Sequence, residues 1–573
     1  MFTYNVIIMK NQEVAKILYD IADLLEIKGE LVFKFVAYRR AAQVIEALSR
    51  DIEDIYKDGK LDDVNGVGPG IAKKVVEYLE TERSKYLEDL KKGLPPGFGE
   101  LLALEGIGPK KVKLFLEKKI KNLKELEAAA KAGKLRKIPT LGEKTEKNIL
   151  QSIEYAKKRG GRMLLGHALL LADEIVGELK KNKNVIKINP AGSLRRMKET
   201  IGDIDILVTS AKPGAVIDYF TKMENVASVI AQGPTKASVR LKNGMQADLR
   251  VLPEKEYGSA LMYFTGSKEH NIELRKMAIS QKMKLSEYGL FSNKFVAGRS
   301  EEEVYRKLGL QYIEPEMRES RGEIELAKKG KLPKIVRQDD VIGDLHMHST
   351  WSDGKNTVEE MALAAKKLGY EYICIADHIG HLTIANALDK KRLEKQRKEI
   401  DLLNKKLDIV ILQGGEVDIR ADGRLDMDNQ TLEKLDIVLA SLHSSLKAGE
   451  ERNTKRIIGA MENPHVDIIA HPSGRLIDQR EGSLLNMEKI IDKSKETNTI
   501  LEVDAQPNRL DMNDVNVRAT IEHGCKIAID TDAHSVDQLR FMNIGVGTAR
   551  RGWATKKDVI NTYKLDKMMK LLK

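Results

Sequence analysis

Residues 344–354 read DLHMHSTWSDG, a short apolar strand that runs into two histidines and an aspartate. The construction returns at IADH (375–378), GGEVDI (414–419), SLHSS (441–445), AHPSGR (470–475) and DTDAH (530–534). Seven strand-like runs, DVIGDLH, YEYICIAD, DIVILQGGEV, DIVLASLH, VDIIAH, TILEVDA and KIAIDTD, are mostly separated by helical stretches such as TVEEMALAAKKLG and MEKIIDKSKET. This β-then-α rhythm predicts parallel strands closed as a barrel, whose chemistry sits at the C-terminal ends of the strands. Six of the seven runs end in or run directly into a metal-type ligand: His346, His348, Asp353, His378, Glu416, His443, His471, Asp532 and His534. Six of the chain's 11 histidines belong to this set. Imidazole and carboxylate together suit Zn²⁺, Mn²⁺ and Fe²⁺. One zinc ion takes about four ligands, so the sequence predicts a multinuclear centre. His381, His465 and His523 stand outside it and are expected on surfaces or loops.

Outward from this centre, 573 residues predict several domains. An apolar fraction of 42% allows large cores. No segment approaches the roughly 20 apolar residues of a membrane span, and the N-terminal MFTYNVIIMK has too short an apolar run for a signal peptide. Cys374 and Cys525 lie in apolar runs and read as buried, reduced thiols, consistent with a cytoplasmic protein. The net charge of +11 is unevenly placed. Residues 1–300 carry 53 Lys and Arg against 39 Asp and Glu, whereas 301–573 carry 44 against 47. A basic N-terminal half points to a polyanion, most simply nucleic acid.

Residues 11–160 are predicted mainly helical. Within them, VNGVGPGIAKKVVEYLE (64–80) and LALEGIGPKKVKLFLE (102–117) share an apolar residue, Gly-x-Gly and a Lys-rich amphipathic helix. Gly66, Gly68, Gly106 and Gly108 permit tight turns that bring backbone N–H groups to a phosphate at a helix N-terminus. Such contacts ignore base sequence. IPTLGEKTEKNILQSIE (138–154) is a degenerate third copy. These segments resemble helix-hairpin-helix DNA-binding motifs.

Next, Gly192-Ser193-Leu194-Arg195-Arg196 precedes Gly202-Asp203-Ile204-Asp205-Ile206-Leu207. In a strand, Asp203 and Asp205 share a face and can hold Mg²⁺ with a third carboxylate from a neighbouring strand, for which Asp248 is the candidate. Ser193 and the amides of the Gly-Ser turn can hold phosphate oxygens. Two metals about 4 Å apart would activate a 3′-hydroxyl and stabilise the leaving pyrophosphate.

With LMYFTGSKEHNIELR at 261–275, the chain from 11 to about 318 resembles the family X DNA polymerases, which carry a Tyr-Phe-Thr-Gly-Ser motif. The resemblance implies that Asp203, Asp205 and Asp248 bind two Mg²⁺ (or Mn²⁺) ions. It implies that Arg162, Gly192, Ser193, Arg196 and Gly202 contact the triphosphate of a dNTP. Tyr263 and Phe264 would lie against the sugar, Gly266 would allow close approach, and Asn271 and Arg275 would face the nascent pair and template. Lys74 aligns with the lyase lysine of animal members and is expected to meet DNA. Three positions depart from relatives: Gly70 replaces a second lysine, Gln246 an arginine beside the third aspartate, and Lys268 an acidic residue.

From 341 to about 550 the ligand motifs resemble the PHP (polymerase and histidinol phosphatase) domain, with all nine ligand positions filled. This implies a trinuclear site for Zn²⁺ and/or Mn²⁺ and a 3′→5′ exonuclease, with abasic-site endonuclease and 3′-phosphatase as further activities. Asp377 and Arg475 lie beside ligands and are candidates for supporting or phosphate contacts.

The expected architecture is multidomain: a mainly helical N-terminal DNA-binding region with helix-hairpin-helix motifs, an α+β nucleotidyltransferase palm and thumb, and a C-terminal distorted (β/α)7 PHP barrel. The expected boundaries are a lyase-like 8-kDa domain at 1–85, fingers at 86–160, palm at 161–252, thumb at 253–318, a linker at 319–340 and the PHP domain at 341–573. The expected function is short-gap filling on gapped or nicked DNA in base excision repair, by a monomer. Two alternatives are a DNA-end binding protein whose PHP metals are structural, and a small-molecule phosphatase fused to an inactive nucleotidyltransferase.

Overall fold

The computed structural model describes residues 10–46, 52–61, 64, 66–95, 97–102, 104, 107–158, 162–382 and 385–572. The chain divides after Arg159 into a helical unit and a larger unit. No helix among the described residues is long and apolar enough to cross a membrane.

The helical unit contains Lys10–Ile27, Val32–Glu46, Pro69–Thr81, Pro109–Glu117, Leu123–Lys131 and Glu143–Lys158, with shorter helices between. Their apolar faces form one cluster from Val14 to Ile153. Gly66 turns with φ +97°, in the left-handed region that glycine adopts without a Cβ penalty. Val67 and Ile107, the apolar residues before the second glycine of each motif, are buried and anchor each turn. Gly68 and Gly108 are the N-caps of the helices starting at Pro69 and Pro109, with no side chain capping the amides. Gly106 lies outside the described residues.

The larger unit begins with a five-stranded sheet ordered Lys187–Pro190, Asp203–Thr209, Gln246–Leu252, Lys236–Leu241, Val226–Gln232. Only the pair Asp203–Thr209 and Gln246–Leu252 is parallel, and its register sets Asp205 opposite Asp248. The helices Leu165–Lys180 and Pro213–Thr221 contribute to the sheet's core. Helices Tyr257–Thr265, Lys268–Ser280 and Glu301–Lys307 and a small three-stranded sheet follow.

Seven parallel strands then run in sequential order: Gly343–Met347, Tyr372–Ile375, Val410–Asp418, Ile437–Ser441, Ile468–Ile469, Ile500–Asp504 and Ile527–Asp530. A two-residue strand at His378–Ile379 also pairs with the third. A bridge from Met347 to Ala533 brings the last strand back to the first. The buried Asp344 carboxylate reinforces the seam, accepting from Thr531 N and Thr531 Oγ1 at 3.2 and 2.6 Å. All five residues of the strands at 343–347, 437–441 and 500–504 are buried, as expected of parallel strands covered on both faces.

Residues 319–340 differ from the expected linker. A helix forms at Glu323–Lys328, and Ile324, Ala327 and Ile335 join the apolar cluster of Met262, Leu274 and Tyr305, with Trp553 from beyond the barrel. The segment's apolar residues are sparse among its charges, which disguises the packing, and Glu323 is buried because it pairs with His270 at 2.7 Å. The palm core is shared in the same way. Leu510 and Ile544 belong to its apolar cluster, and Gly166 packs tightly on Pro507.

Glu301 ties these elements together by accepting from Arg195 at 2.6 Å and from the fully buried Arg318 at 2.6 Å. Burial pushes this carboxyl up, but Arg318 and Arg195 overturn that and hold it down to about 2, against an ordinary 4.5. The folded protein therefore binds fewer protons at Glu301 than the unfolded chain. Its stabilisation is complete above pH 4.5 and is lost as pH falls through about 2. Glu301→Gln leaves Arg318 buried without a counter-ion and should cost about 3–5 kcal/mol. Thermal melts at pH 7 should show the lower midpoint. A pH series from 5 to 3 should show a shallower acid slope in the variant than in wild type.

Candidate active sites

The first site stands on the parallel strand pair. Asp203, Asp205 and Asp248 each offer an oxygen, all within 4.8 Å of one another. Burial pushes the Asp205 carboxyl up, and Asp203 and Asp248 push it further, to about 7. Burial and Asp248 also raise Asp203. Three carboxylates held this close repel one another, which a divalent cation relieves. Asp248 is steadied by Ser238 Oγ and by Gln246 Nε2 at 2.9 Å. Gln246, which stands where an arginine is common, thus supplies a neutral donor.

Gly192 has φ +61°, and a Cβ there would fall on the Asp205 carboxylate. The four-residue helix Gly192–Arg195 can approach the acids only because this position is glycine. Arg162 donates to Thr200 Oγ1 at 2.9 Å and Thr200 O at 2.5 Å, and its Nη1 lies against Gly202. Arg196 reaches Thr265 O and lies against Gly266. The Tyr263 and Phe264 rings meet edge to face at 5.2 Å. Asn271 donates to Tyr263 O at 2.7 Å, and Arg275 to Asn271 O at 3.3 Å. The fold thus brings Gly192 against Asp205 among the three aspartates. A cleft of about 370 Å³ adjoins them, lined by Asp205, Asp248, Arg250, Phe264, Lys236 and Ser238 among others.

The second site lies at the C-terminal rim of the barrel, and all nine predicted ligands converge there. Glu416 is its hub. The Glu416 carboxylate lies 2.9 Å from His378 Nδ1, 2.9 Å from His471 Nε2 and 3.3 Å from His443 Nε2, with His346 and His348 at 3.7 Å. His348, Asp353, His378 and His534 make one donor group; His346, His348 and Glu416 a second; His378, Glu416 and His443 a third. Asp532 lies 3.1 Å from His348 Nε2 and 3.7 Å from His346 Nε2. His471 and Asp532 hold left-handed backbone, at φ +27° and +47°, a strained conformation for such residues.

This donor set fits metal ions. His348 Nε2 and His346 Nε2 face each other at 3.2 Å, and buried His348 Nδ1 and His471 Nδ1 have no hydrogen-bond partner. Burial pushes the Glu416 carboxyl up, but His378 and His443 overturn this and hold it well below the usual range. Asp532 is held down in the same way by His346 and His348. Burial lowers the imidazoles, yet Glu502 and Asp532 raise His346 well above its usual value. Glu416 and Asp418 raise His443 to about 10, and Asp353 and Asp532 raise His534 to about 9.

Sequence reading missed Glu502. Its strand was the one run without a ligand, yet the Glu502 carboxylate accepts from His471 N at 2.6 Å and meets His346 Nδ1 at 2.7 Å. It fixes the orientation of two ligand residues. The position of a lone Glu inside an apolar strand was the available signal. Arg509 was also missed; its Nε lies 3.7 Å from Asp532 and 3.4 Å from Asp504. Asp377 is fully buried and accepts from Ser349, Ser352 and Gln396. Arg475 is committed to Glu199 at 2.8 Å and to Arg509 O and Leu510 O, so it braces the loop rather than facing the centre. In the helical unit, Lys74 donates to Gly70 O at 3.0 Å and lies 4.6 Å from the Tyr86 ring centroid.

Comparison with known proteins agrees with this division. Family profiles match a helix-hairpin-helix domain at 9–84, a SAM-like helix-hairpin-helix tandem at 98–154, the DNA polymerase beta thumb at 260–319 and the PHP domain at 344–498. The DNA polymerase/3'-5' exonuclease PolX of Bacillus subtilis (strain 168) is 38% identical over 572 residues, covering 99% of this chain and 100% of that protein. A protein named as a probable phosphatase in Thermoanaerobacter sp. (strain X514) is 33% identical over 233 residues, 38% of this chain and 89% of its own length. With the polymerase acids, the barrel ligands and an end-to-end relative all present, the chain belongs to the family X DNA polymerases with a C-terminal PHP domain, and it is a DNA polymerase and 3′→5′ exonuclease.

Proposed function

We propose that the two activities are divided between the two sites, with gap filling at Asp203, Asp205 and Asp248 and 3′-end trimming at the nine barrel ligands. The observation that carries this reading is that each donor set closes on itself, three aspartates on one strand pair and nine side chains around Glu416. In this reading the palm takes Mg²⁺ or Mn²⁺, and the barrel takes three ions of Zn²⁺ and/or Mn²⁺. Such ions, when bound, supply Lewis-acid activation of water and of the phosphoryl group. Arg162, Ser193 and Arg196 hold the triphosphate of a dNTP, with Gly192 and Gly202 giving it backbone room. Tyr263 and Phe264 wall the sugar, Gly266 admits it closely, and Asn271 and Arg275 face the nascent pair. Arg509, beside Asp532, is placed to meet a phosphoryl oxygen.

We assign the DNA grip to the amides after Gly66, Gly68, Gly106 and Gly108 and to Lys74. Helix N-termini at Gly68 and Gly108 that no side chain caps, with nothing within 4 Å of where a Cβ would lie at either glycine, support it. The assigned domains are lyase-like 1–85, fingers 86–160, palm 161–252, thumb 253–318 and PHP 341–573, joined by the packed stretch 319–340. The substrate is gapped or nicked DNA, and the enzyme acts as a cytoplasmic monomer in base excision repair.

A 5′-labelled gapped duplex with dNTPs and Mg²⁺ or Mn²⁺ tests the division. Asp203→Ala/Asp205→Ala should lose extension by on the order of 10³-fold, about 4 kcal/mol, and keep digestion. His346→Ala/His348→Ala should do the reverse. Undiminished 3′ digestion by the histidine variant would remove the nuclease from the barrel.

Proton release provides a second test. Without metal, His443 and His534 should keep their protons at pH 7, because neighbouring carboxylates raise them to about 10 and about 9. Ligation requires neutral imidazole, so loading must expel protons, and affinity must climb as pH rises from 6 toward 9. Titration calorimetry of Mn²⁺ into chelated protein, in two buffers of different ionisation enthalpy, should report net proton release at pH 7. Buffer-independent heats would contradict the assignment.

A further inference from the structure

The loop between the Gly-Ser turn and the first aspartate carries a chain of ion pairs that leads away from the palm. Arg196 donates from Nε to Glu319 Oε1 at 3.1 Å. The same oxygen accepts from Arg551 Nη1 at 2.9 Å, and that nitrogen also donates to the Arg196 carbonyl at 2.8 Å. Arg551 Nη2 donates to Asp514 at 2.7 Å, and Asp514 also accepts from Arg321 at 3.0 Å. Lys198 approaches Glu319 at 4.0 Å. Arg551 closes the helix Met542–Arg551 that follows the last barrel strand, and Asp514 opens the helix Asp514–Glu522. The Arg551 side chain is 4% exposed, and those of Arg196 and Glu319 are each 13% exposed.

Four cations, Arg196, Lys198, Arg321 and Arg551, meet at Glu319 and Asp514. Burial, and then the nearby Arg551 charge, lower the Lys198 ammonium against the pull of Glu319 and Asp514. Glu319 is therefore divided between a palm arginine and a barrel-side arginine. Met197, at φ +52°, packs its side chain on Gly547 of the Arg551 helix. The loop is thus braced by that helix through both apolar contact and hydrogen bonding.

We propose that Arg551 is a positioning residue for the polymerase reaction. It holds the Arg196 carbonyl and shares Glu319 with Arg196, so that Glu319 orients the Arg196 guanidinium for the incoming triphosphate without claiming it alone. Without Arg551, Glu319 is left to Arg196 and Lys198 alone and draws the guanidinium away from the triphosphate, while the loop loses a hydrogen bond. The proposal rests on the assignment of Arg196 to the triphosphate made above.

Single-nucleotide gap filling under steady-state conditions tests it, with wild type, Arg551→Ala, Arg551→Lys and Arg196→Ala as full-length proteins. Exonuclease rate and melting midpoint are measured on the same preparations. Arg551→Ala should raise KM for the dNTP about fivefold or more, the lower range of coupling between distinct sites. Its kcat should stay within about twofold of wild type, with 3′ digestion unchanged. Arg551→Lys keeps the charge but cannot span Glu319, the carbonyl and Asp514 together, so it should fold and show an intermediate KM. If Arg196→Ala raises KM and both Arg551 variants leave it unchanged, the positioning role is overturned and the Arg196 assignment stands. If Arg196→Ala leaves KM unchanged, the assignment of Arg196 fails and the proposal fails with it. If Arg551→Lys loses extension, digestion and melting midpoint together, Arg551 is a structural residue only and the proposal is overturned.

Discussion

A buried carboxylate facing five imidazoles sets the terms for the barrel. Glu416 lies within 3.7 Å of His346, His348, His378, His443 and His471, and burial alone would neutralise it. Its charge survives because positive charge is concentrated around it, as protons or as metal ions. This constraint explains the rest of the rim. The ligands must arrive from different strand ends, because one strand cannot aim so many side chains at one carboxylate. The strands must be parallel, so that those ends share one face. The supporting shell must be rigid, and Glu502 and Asp377 provide that with hydrogen bonds rather than bulk.

The palm solves the opposite problem. Its three carboxylates repel, with Asp205 raised to about 7, and no imidazole is among them. Only a parallel pair in that register puts Asp205 opposite Asp248 while Asp203 shares the face. Gly192 then lets the turn at 192–195 close on the acids. One site carries its own protonatable counter-charge, whereas the other depends on cations from solution or substrate.

Much of this was legible in the sequence because the signals are local. Spacing of two along a strand revealed Asp203 and Asp205, and histidines at the ends of apolar runs revealed the rim. Gly-x-Gly before lysine-rich helices revealed the hairpins. What stayed hidden is non-local. Glu502 looks like a stray charge in ILEVD, because its partners His346 and His471 lie 156 and 31 residues away. Residues 319–340 read as a linker, because a few apolar side chains that complete another element's core carry no periodic pattern. The commitment of Arg475 to Glu199 joins residues 276 apart, and no motif announces it.

The sharing of the palm core with Leu510 and Ile544, and of the thumb core with Trp553, has a consequence for how such a protein can change. A module that buries its own surface can be lost, duplicated or exchanged with little harm. Here the synthetic half would expose its interior if the hydrolytic half were removed. Gene truncation would therefore uncover the neighbours of Leu510, Ile544 and Trp553 and destabilise what remains. Every molecule of the polymerase is accompanied by one nuclease, and the cell cannot set the ratio of the two activities through expression.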